Sequence, residues 1–339
     1  MGGTSRDAPR SRGRWAGQAK LVSSSRGAGG RRPQRFSRYL SRPADPLHRR
    51  LPAGNSTDLT ARIVAEALRV RLGQPVVVEN RPGANGSLGA TAVATAAPDG
   101  HTLLISNAST MTVNHLLYRE NRYHPLRDLL PIATITASPF IITINPSNPR
   151  TRGVRTLQDF VALSKARPGT LSFGSPGNGN LGHLGFELLN HSAGMQLLHV
   201  PYRGAALAQN ALVASEVDAC FDTPAAIPLV RSGVLAAIAC SGPERWRDLP
   251  EVPTLVESGY PDAVITFWNA LVAPANTPPP IVQALYQAVE AVSREPATRQ
   301  LLMSQGEVVV LDPVGFRERI AGDIDKNAML IRRIGLEAQ

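Results

Sequence analysis

Residues 171–240 read LSFGSPGNGN LGHLGFELLN HSAGMQLLHV PYRGAALAQN ALVASEVDAC FDTPAAIPLV RSGVLAAIAC. Within this stretch, short apolar runs that are typical of buried strands alternate strictly with segments of helical periodicity. The strands are predicted at 171–174, 196–200, 217–221 and 234–240, and the helices at 182–191, 204–214 and 225–232. This alternation is the βαβ pattern of an α/β protein, and it predicts a mostly parallel, doubly wound sheet.

Two long β-rich runs bracket this block, one near 132–144 and the other near 264–273. The simplest interpretation is that the chain enters a second lobe at the first run and returns at the second. We therefore expect lobe one at 51–137 plus 268–339, and lobe two, inserted, at 138–267. A ligand is expected in the crevice between the lobes, at the carboxyl ends of strands, and the two runs are candidate hinges.

The net charge of +10 comes from the first 50 residues. They hold 13 Lys and Arg against two acids, whereas the remaining 289 residues hold 23 bases and 24 acids. The part of the chain that is expected to fold is therefore almost neutral, which argues against a nucleic-acid partner. The sequence also contains no apolar run of about 18 residues, so it predicts no membrane-spanning helix.

Residues 1–50 are rich in Arg, Gly, Ser and Pro, and this composition predicts a disordered basic segment. The segment lacks the apolar run of about 7–15 residues that a secretory signal needs. A transit peptide is one alternative, because the segment is Arg-rich and poor in acids. The simpler interpretation is a mis-assigned or frame-shifted start, with a signal peptide and an apolar strand expected before Pro52 in the native product.

The residue types that bind metals are sparse. Cys220 and Cys240 lie in apolar, strand-like runs and are expected to be buried thiols, with a disulfide as the alternative. His183 and Glu187 are four residues apart on one predicted helix, but no third ligand lies nearby. We therefore expect no metal site.

Four loops have the composition of anion-binding turns. Each is rich in Gly, Asn, Ser or Arg and precedes a helix, so backbone N–H groups and a helix N-terminus can converge on an anion. The loops are 52–58, 81–87, 174–180 and 201–204. Any one of them could be a simple strand-to-helix connection, but four at corresponding junctions of two lobes predict a carboxylate-binding cleft.

Residues 177–182, GNGNLG, match the G-x-G-x-x-G pattern of dinucleotide sites between a predicted strand and a predicted helix. The alternative function is therefore an NAD-dependent oxidoreductase. That fingerprint also requires an acid about 20 residues further on, at the end of the next strand. Residues 198–203, LHVPYR, contain none. No G-x-S-x-G, P-loop or H-E-x-x-H motif occurs either, so we expect no catalytic residues and no enzyme.

Several motifs, in this order and at compatible spacing, resemble the Bug family of extracytoplasmic substrate-binding proteins of tripartite tricarboxylate transporters. The resemblance runs from about residue 52 to residue 335. The matching motifs include VENRPGANG at 78–86, AAPDGHTLL at 96–104, FGS at 173–175, VPYRG at 200–204, FD at 221–222 and LPEVPT at 249–254.

The resemblance implies a two-lobed, type II periplasmic-binding-protein fold and a small carboxylate ligand, an organic acid or amino acid, held largely by loop backbone. It also implies a periplasmic monomer that needs no cofactor and that works with the membrane subunits of a transporter. The ligand-binding residues it implies are Gly54, Asn55, Ser56, Thr57, Asp58, Ala84, Asn85, Gly86, Ser106, Asn107, Ser175, Gly177, Asn178, Gly179, His183, Tyr202, Arg203, Gly204 and Asp222.

The sequence departs from the family before the first loop, where Pro46–Leu51 is not an apolar strand. The first sheet is therefore expected to lack its central strand, unless residues 47–51 form one. Further departures are Asn55 in place of a second glycine, Ala211 in place of Asp and Ser215 in place of Gly.

Overall fold

The structure is a computed structural model that describes residues 18–23, 55–81 and 83–338; for 18–23 it describes the backbone. The described residues form an α/β fold with two sheets. The strands, in chain order, are β1 (Gln18–Ser23), β2 (Val76–Arg81), β3 (Thr102–Asn107), β4 (Leu129–Pro139), β5 (Ile141–Ile144), β6 (Ser172–Ser175), β7 (Leu198–Pro201), β8 (Ala219–Asp222), β9 (Ala236–Cys240), β10 (Thr266–Pro274) and β11 (Glu307–Val308).

The helix predicted at 182–191 is longer in the structure, and those predicted at 204–214 and 225–232 are shorter. The α-helices of the described residues follow in chain order. They are α1 (Ser56–Leu72), α2 (Ser87–Ala94), α3 (Ala108–Thr112), α4 (Asn114–Leu117), α5 (Leu157–Ala166), α6 (Leu181–Ala193), α7 (Ala205–Val213), α8 (Ile227–Arg231), α9 (Pro279–Arg294), α10 (Pro296–Met303) and α11 (Pro313–Arg333). Short 3₁₀ turns occupy Ala84–Gly86, Pro149–Thr151, Pro224–Ala226 and Pro261–Ala263.

The first sheet has the strand order β11-β4-β10-β3-β1-β2, and its neighbouring strands are antiparallel. Helices α1 and α9 cover one face, where Val64 and Leu68 pack with Ile105, Ile135 and Val289 in one buried cluster. The start of α1 and the end of β3 therefore lie close together, at the same edge of the first lobe.

The second sheet has the order β7-β6-β8-β5-β9. Strands β6, β7 and β8 are parallel to one another, but β5 runs antiparallel to both β8 and β9. Since β8 and β9 both run antiparallel to β5, the four strands predicted from residues 171–240 share one direction. The prediction of a mostly parallel sheet is therefore confirmed for this sheet, and β5 is its exception. β5 arrives from the other lobe, and the direction in which a crossing strand enters a sheet is not encoded in hydrophobic periodicity.

The chain passes between the sheets twice. Phe140 separates β4 of the first sheet from β5 of the second, and residues 241–265 lead from β9 back to β10. One buried cluster spans this junction, from Leu104 and Met111 through Phe140 to Phe173 and Phe186. The two lobes are therefore joined by packed side chains as well as by the chain itself, while the exact lobe boundaries stay a prediction.

The basic segment contains a strand that sequence analysis did not anticipate. Strand β1, at Gln18–Ser23, lies between β2 and β3 and pairs with both, with Leu21 opposite Val78 and Leu103. The prediction that the whole segment 1–50 is disordered, and that the first sheet lacks a strand at this position, is wrong for these six residues. A strand here satisfies the backbone groups along the facing edges of β2 and β3. The alternative strand at 47–51 lies outside the described residues.

Candidate ligand-binding cleft

A cleft of about 560 Å³ lies between the two lobes. Its wall is drawn from both sheets and from the loops that follow their strands. The lining residues are Asn55, Ser56, Thr57, Gly83, Ala84, Asn85, Gly86, Asn107, Phe140, Gly174, Pro176, Gly177, Asn180, Tyr202, Arg203, Gly204, Ala205, Ala208, Cys220, Phe221, Asp222, Thr223 and Phe267. Apart from Arg203 and Asp222, these residues are uncharged, so most of the polarity of the wall comes from amides, hydroxyls and backbone.

The first-lobe wall contains the N-terminus of α1. Asn55 caps the helix by accepting from the N–H of Asp58 at 2.8 Å. The Thr57 hydroxyl donates to Oδ1 of Asn269 at 2.8 Å and accepts from Nδ2 of Asn107 at 3.2 Å. These bonds fix the Thr57 side chain at the start of a 17-residue helix, whose first N–H groups and dipole favour an anion.

The loop before α2 forms a second cradle in the same wall. Gly83, Ala84, Asn85 and Gly86 have φ values of 124°, 45°, 49° and 87°, so four consecutive residues adopt positive φ. The backbone carbonyl of Asn85 accepts from the Thr110 hydroxyl at 2.9 Å and keeps the loop in place. Successive backbone N–H groups in turns of this kind make a concave anion-binding surface.

The second-lobe wall contains the N-terminus of α7. Gly204, with φ 122°, precedes this helix and has no side chain to cap it. The loop is fixed by bonds from the N–H of Tyr202 to the Ser175 carbonyl, at 2.9 Å, and from the N–H of Gly204 to the Pro176 carbonyl, at 3.1 Å. Arg203 is the basic residue of the cleft wall and its side chain is exposed. This corner therefore offers a helix N-terminus next to a guanidinium, which together favour a carboxylate.

Asp222 is the acidic residue of the cleft wall, at the end of β8. Its side chain is buried, and its Oδ2 accepts from the Thr143 hydroxyl at 2.5 Å. Burial raises the pKa of the Asp222 carboxyl to about 6, although the Thr143 bond acts in the opposite direction. A buried acid is unexpected in the wall of a cleft whose other features favour anions.

The glycine-rich loop at 177–182 has its backbone donors already occupied. The N–H of Gly177 donates to Ser175 Oγ at 3.2 Å, that of Gly179 to His183 Nδ1 at 3.1 Å, and that of Gly182 to Asn180 Oδ1 at 2.9 Å. Strand β7 ends at Pro201 rather than at an acid. The loop therefore lacks the free donors and the ribose-binding carboxylate of a dinucleotide site, and the oxidoreductase alternative is not favoured.

Two stacked histidines support this loop from behind. The rings of His183 and His199 lie 3.8 Å apart, and His199 Nε2 is 2.7 Å from Ser175 Oγ. Burial lowers the pKa of His183 to about 3 and that of His199 to about 4. Both rings are therefore neutral near pH 7, and they hold the loop rather than reach the cleft.

The structure brings most of the predicted site residues to the cleft. Those that line it are Asn55, Ser56, Thr57, Ala84, Asn85, Gly86, Asn107, Gly177, Tyr202, Arg203, Gly204 and Asp222. Six others are not part of the lining: Asp58, Ser106, Ser175, Asn178, Gly179 and His183. Gly54 lies outside the described residues.

Sequence analysis missed several lining residues that come from distant parts of the chain. Phe140 lies where the chain first crosses between sheets, Thr223 follows Asp222, and Ala205 and Ala208 belong to the first turns of α7. Phe267, in the second crossing run, also lines the cleft. The signal that could have found Phe140 and Phe267 is their position in the two crossing runs, since residues at a crossing lie at the base of the crevice.

The remaining chemistry-bearing groups of the described residues are few. Cys220 and Cys240 are both buried and unbonded. Residues 18–23, 55–81 and 83–338 contain no group of three or more His, Cys, Asp or Glu side chains close enough to share a metal ion. Within the same residues, no helix has the length and apolar character needed to cross a membrane.

Two α/β lobes, joined by crossing strands around a polar cleft, define the class of two-lobed solute-binding proteins. The chain belongs to the tripartite tricarboxylate transporter family of receptors, whose family model matches residues 60–336. The resemblance to the Bug family is thereby confirmed. This is a family of substrate-binding receptors, not of enzymes.

Relatives and solved structures agree with this assignment. Protein BugT of Bordetella pertussis is 35% identical over 298 residues, which cover 86% of this chain and 90% of the relative. The structure of R. palustris Rpa4515 with adipate has a TM-score of 0.80 and 28% identity, covering 85% of this chain and 96% of that chain. The structure of MatC from Rhodopseudomonas palustris with bound malate has a TM-score of 0.74 and 30% identity, covering 83% and 96%.

Proposed function

We propose that this protein is the extracytoplasmic receptor of a tripartite tricarboxylate-type transporter, and that it captures one small carboxylate in the cleft between its lobes. The observation that carries the proposal is the arrangement of three anion-favouring features around one cavity. These are the N-terminus of α1, the loop at 83–86 and the N-terminus of α7 beside Arg203. Adipate and malate, which occupy two structural neighbours, are both small dicarboxylates.

Each loop contributes donors of a different kind. Asn107 supplies the amide N–H that is not bonded to Thr57, the 83–86 loop supplies backbone N–H groups, and Arg203 supplies a charge. A carboxylate is recognised well by such sets because each oxygen accepts more than one hydrogen bond. The predicted ligand-binding residues that line the cleft are therefore proposed as the site, with Phe140, Ala205, Thr223 and Phe267 added to them.

We propose that capture works by closure of lobe one, 51–137 plus 268–339, onto lobe two, 138–267. Contacts across the cleft support a closed form. Asn180 Nδ2 donates to Asn85 Oδ1 at 3.1 Å, and the N–H of Leu181 donates to Ser109 Oγ at 3.1 Å. A ligand that contacts both lobes favours the closed form by its additional contacts. The strand pair around Phe140 and the return run into β10 are the proposed hinges.

The remaining parts of the proposal follow from the receptor family. The protein acts as a monomer in the periplasm, needs no cofactor and no metal, catalyses no reaction and delivers its ligand to membrane subunits. Among the lining residues of the cleft, Arg203 is the one basic side chain. A nucleic-acid site would need a cluster of them, so the composition of this wall supports a small-molecule ligand.

A thermal-shift screen tests the function. Purified protein is heated with a panel of mono-, di- and tricarboxylates, with uncharged analogues and with NAD. A carboxylate at about 100 times its Kd should stabilise the protein by about 2.7 kcal/mol, and NAD should have no effect. Stabilisation by NAD without stabilisation by any carboxylate would overturn the proposal in favour of the oxidoreductase.

A further inference from the structure

Three carboxylates are buried among the residues whose side chains the structure describes. They are Asp58, Asp218 and Asp222, with 2%, 0% and 7% of their surface exposed. An ionised carboxylate that is removed from water needs a cation or several hydrogen-bond donors to offset the loss of hydration. The partners of these three side chains can therefore be compared directly.

Asp58 and Asp218 each have a complete set of partners that includes an arginine. Asp58 accepts from Arg62 Nε at 3.0 Å and from Asn80 Nδ2 at 2.9 Å. Asp218 accepts from Arg150 Nε at 2.7 Å, and Asn148 and Ser172 occupy its remaining lone pairs. Both side chains are structural, because their charge and hydrogen-bonding capacity are satisfied within the fold.

Asp222 has no such set. Within residues 55–81 and 83–338 its carboxylate accepts one hydrogen bond, from the Thr143 hydroxyl, and no cation forms an ion pair with it. Its other oxygen, Oδ1, has no partner among those residues. Asp222 is also the one of the three buried acids that lines the ligand cleft. Arg203, on the same wall, is exposed and makes no ion pair with Asp222.

Because Asp222 lines the cavity where the ligand is proposed to bind, its remaining hydrogen-bonding capacity is available to a ligand there. A second carboxylate in contact with it would bring two like charges together in a partly desolvated site, which is unfavourable. A hydroxyl or ammonium group would instead donate to the free oxygen, and hydrogen bonds to a charged acceptor are stronger than neutral ones.

We infer that Asp222 is a specificity-determining residue that accepts a hydrogen bond from the ligand, so the preferred ligand is a carboxylate that also carries a hydroxyl or an ammonium group. This inference rests on the proposed function. The anion-favouring loops hold the carboxylate, and Asp222 selects the neighbouring donor. Plain carboxylates of the same length leave the buried acid without a partner.

Matched ligand sets test the inference by titration calorimetry on the whole chain. Each set contains a plain carboxylate, its α-hydroxy derivative and its α-amino derivative, for example succinate, malate and aspartate, or propionate, lactate and alanine. In the set that binds best, a donor-bearing member should bind at least about tenfold more tightly than the plain member. Whether that member is the hydroxy or the amino derivative identifies the donor.

The variant Asp222→Asn keeps the shape of the side chain and an acceptor for Thr143 but removes the charge. It should reduce the preference for the donor-bearing ligand to about threefold or less, with circular dichroism and melting temperature showing that the fold is kept. The wild-type comparison stands by itself if this variant does not fold.

Three results decide the matter. Equal or tighter binding of plain carboxylates by the wild-type protein would overturn the inference and leave the proposed function intact. An unchanged preference in a folded Asp222→Asn protein would also overturn it, because selection would then lie elsewhere. Failure of every carboxylate to bind would overturn the proposed function, and with it this inference.

Discussion

The side-chain amide of Asn180 donates to Oδ1 of Asn85 at 3.1 Å, from the second lobe to the first. Asn85 has a positive φ of 49° and belongs to the 83–86 loop, whereas Asn180 caps α6 by accepting from the N–H of Gly182. Both residues line the cleft. One hydrogen bond thus connects the 83–86 loop beside the first sheet to the start of α6 beside the second.

The variant Asn180→Ser tests whether this bond stabilises the closed form. Serine is as good an N-cap as asparagine, so the melting temperature without ligand should hardly change. Loss of the bond to Asn85 should weaken ligand binding by about 0.5–1.5 kcal/mol, or roughly two- to tenfold. Calorimetric affinities of the two proteins for the same carboxylate measure this, and equal affinities would count against closure through this contact.

A buried asparagine supports the first-lobe wall. Asn269 on β10 is fully buried, and its Nδ2 lies within 3.3 Å of the hydroxyls of Ser56, Thr60 and Thr136, while its Oδ1 accepts from Thr57. The variant Asn269→Leu removes the buried amide that these hydroxyls share, so the free energy of unfolding should fall by about 1–3 kcal/mol. Urea denaturation measures the loss. A variant as stable as the wild type would show that the network contributes little.

Two glycines in helices should respond in opposite directions to alanine. A Cβ at Gly185 would lie 2.5 Å from the ring of Phe221, whereas a Cβ at Gly322 has nothing within 4 Å. We therefore expect Gly185→Ala to destabilise the protein by about 1–3 kcal/mol through overpacking. The control, Gly322→Ala in α11, should stabilise it by up to about 1 kcal/mol through helix propensity. Equal effects of the two substitutions in thermal denaturation would contradict the packing of α6 against β8.

The buried histidine pair predicts how stability depends on pH. Folding lowers the pKa of His199 from 6.5 to about 4 and that of His183 to about 3. Below pH 6.5 the unfolded chain therefore binds protons that the folded chain does not. The free energy of unfolding is therefore highest above pH 6.5. It decreases as the pH falls from 6.5 through the folded pKa values of the two histidines. The effect is on the order of 2–3 kcal/mol for His199 between pH 7 and pH 4.

The variant His199→Phe isolates this contribution, because phenylalanine keeps the stacking on Phe173 and His183 but does not titrate. It should flatten the fall of unfolding free energy between pH 6.5 and pH 4. Folding raises the pKa of Asp222 to about 6, so its contribution to the free energy of unfolding increases as the pH falls. This contribution is the same in both proteins, and comparing the variant with the wild type removes it. The exposed His191→Gln is the matched control, and an identical slope in the His199 variant would contradict the prediction.

Local patterns were sufficient for the helices and strands of lobe two. The alternation between 171 and 240 predicted β6 to β9 and their helices, because each buried strand and each amphipathic helix leaves its own periodic signal. The direction of β5 was not predictable, since Ile141–Ile144 reads as an apolar strand whichever way it enters the sheet. Strand β1 was missed because a six-residue strand between two others depends on its neighbours' hydrogen bonds rather than on its own composition.

The candidate site was partly predictable for a similar reason. Gly83–Gly86 and Tyr202–Gly204 were predicted because turn residues before a helix are a local signal, and both loops line the cleft. His183 was expected at the ligand but packs against His199, a contact between residues that are distant in sequence. Phe140 and Thr223 carry no motif at all; they line the cleft because the two sheets meet beside them.

The central claim is that a carboxylate binds between α1 and α7, and it is tested most directly by filling that space. Ala205, the first residue of α7, lines the cleft, whereas Ala206 does not. Titration calorimetry with the carboxylate that most stabilises the wild-type protein should give one site per chain. Affinity should fall at least about tenfold in Ala205→Phe and stay unchanged in Ala206→Phe. Undiminished binding by a folded Ala205→Phe protein would contradict the account.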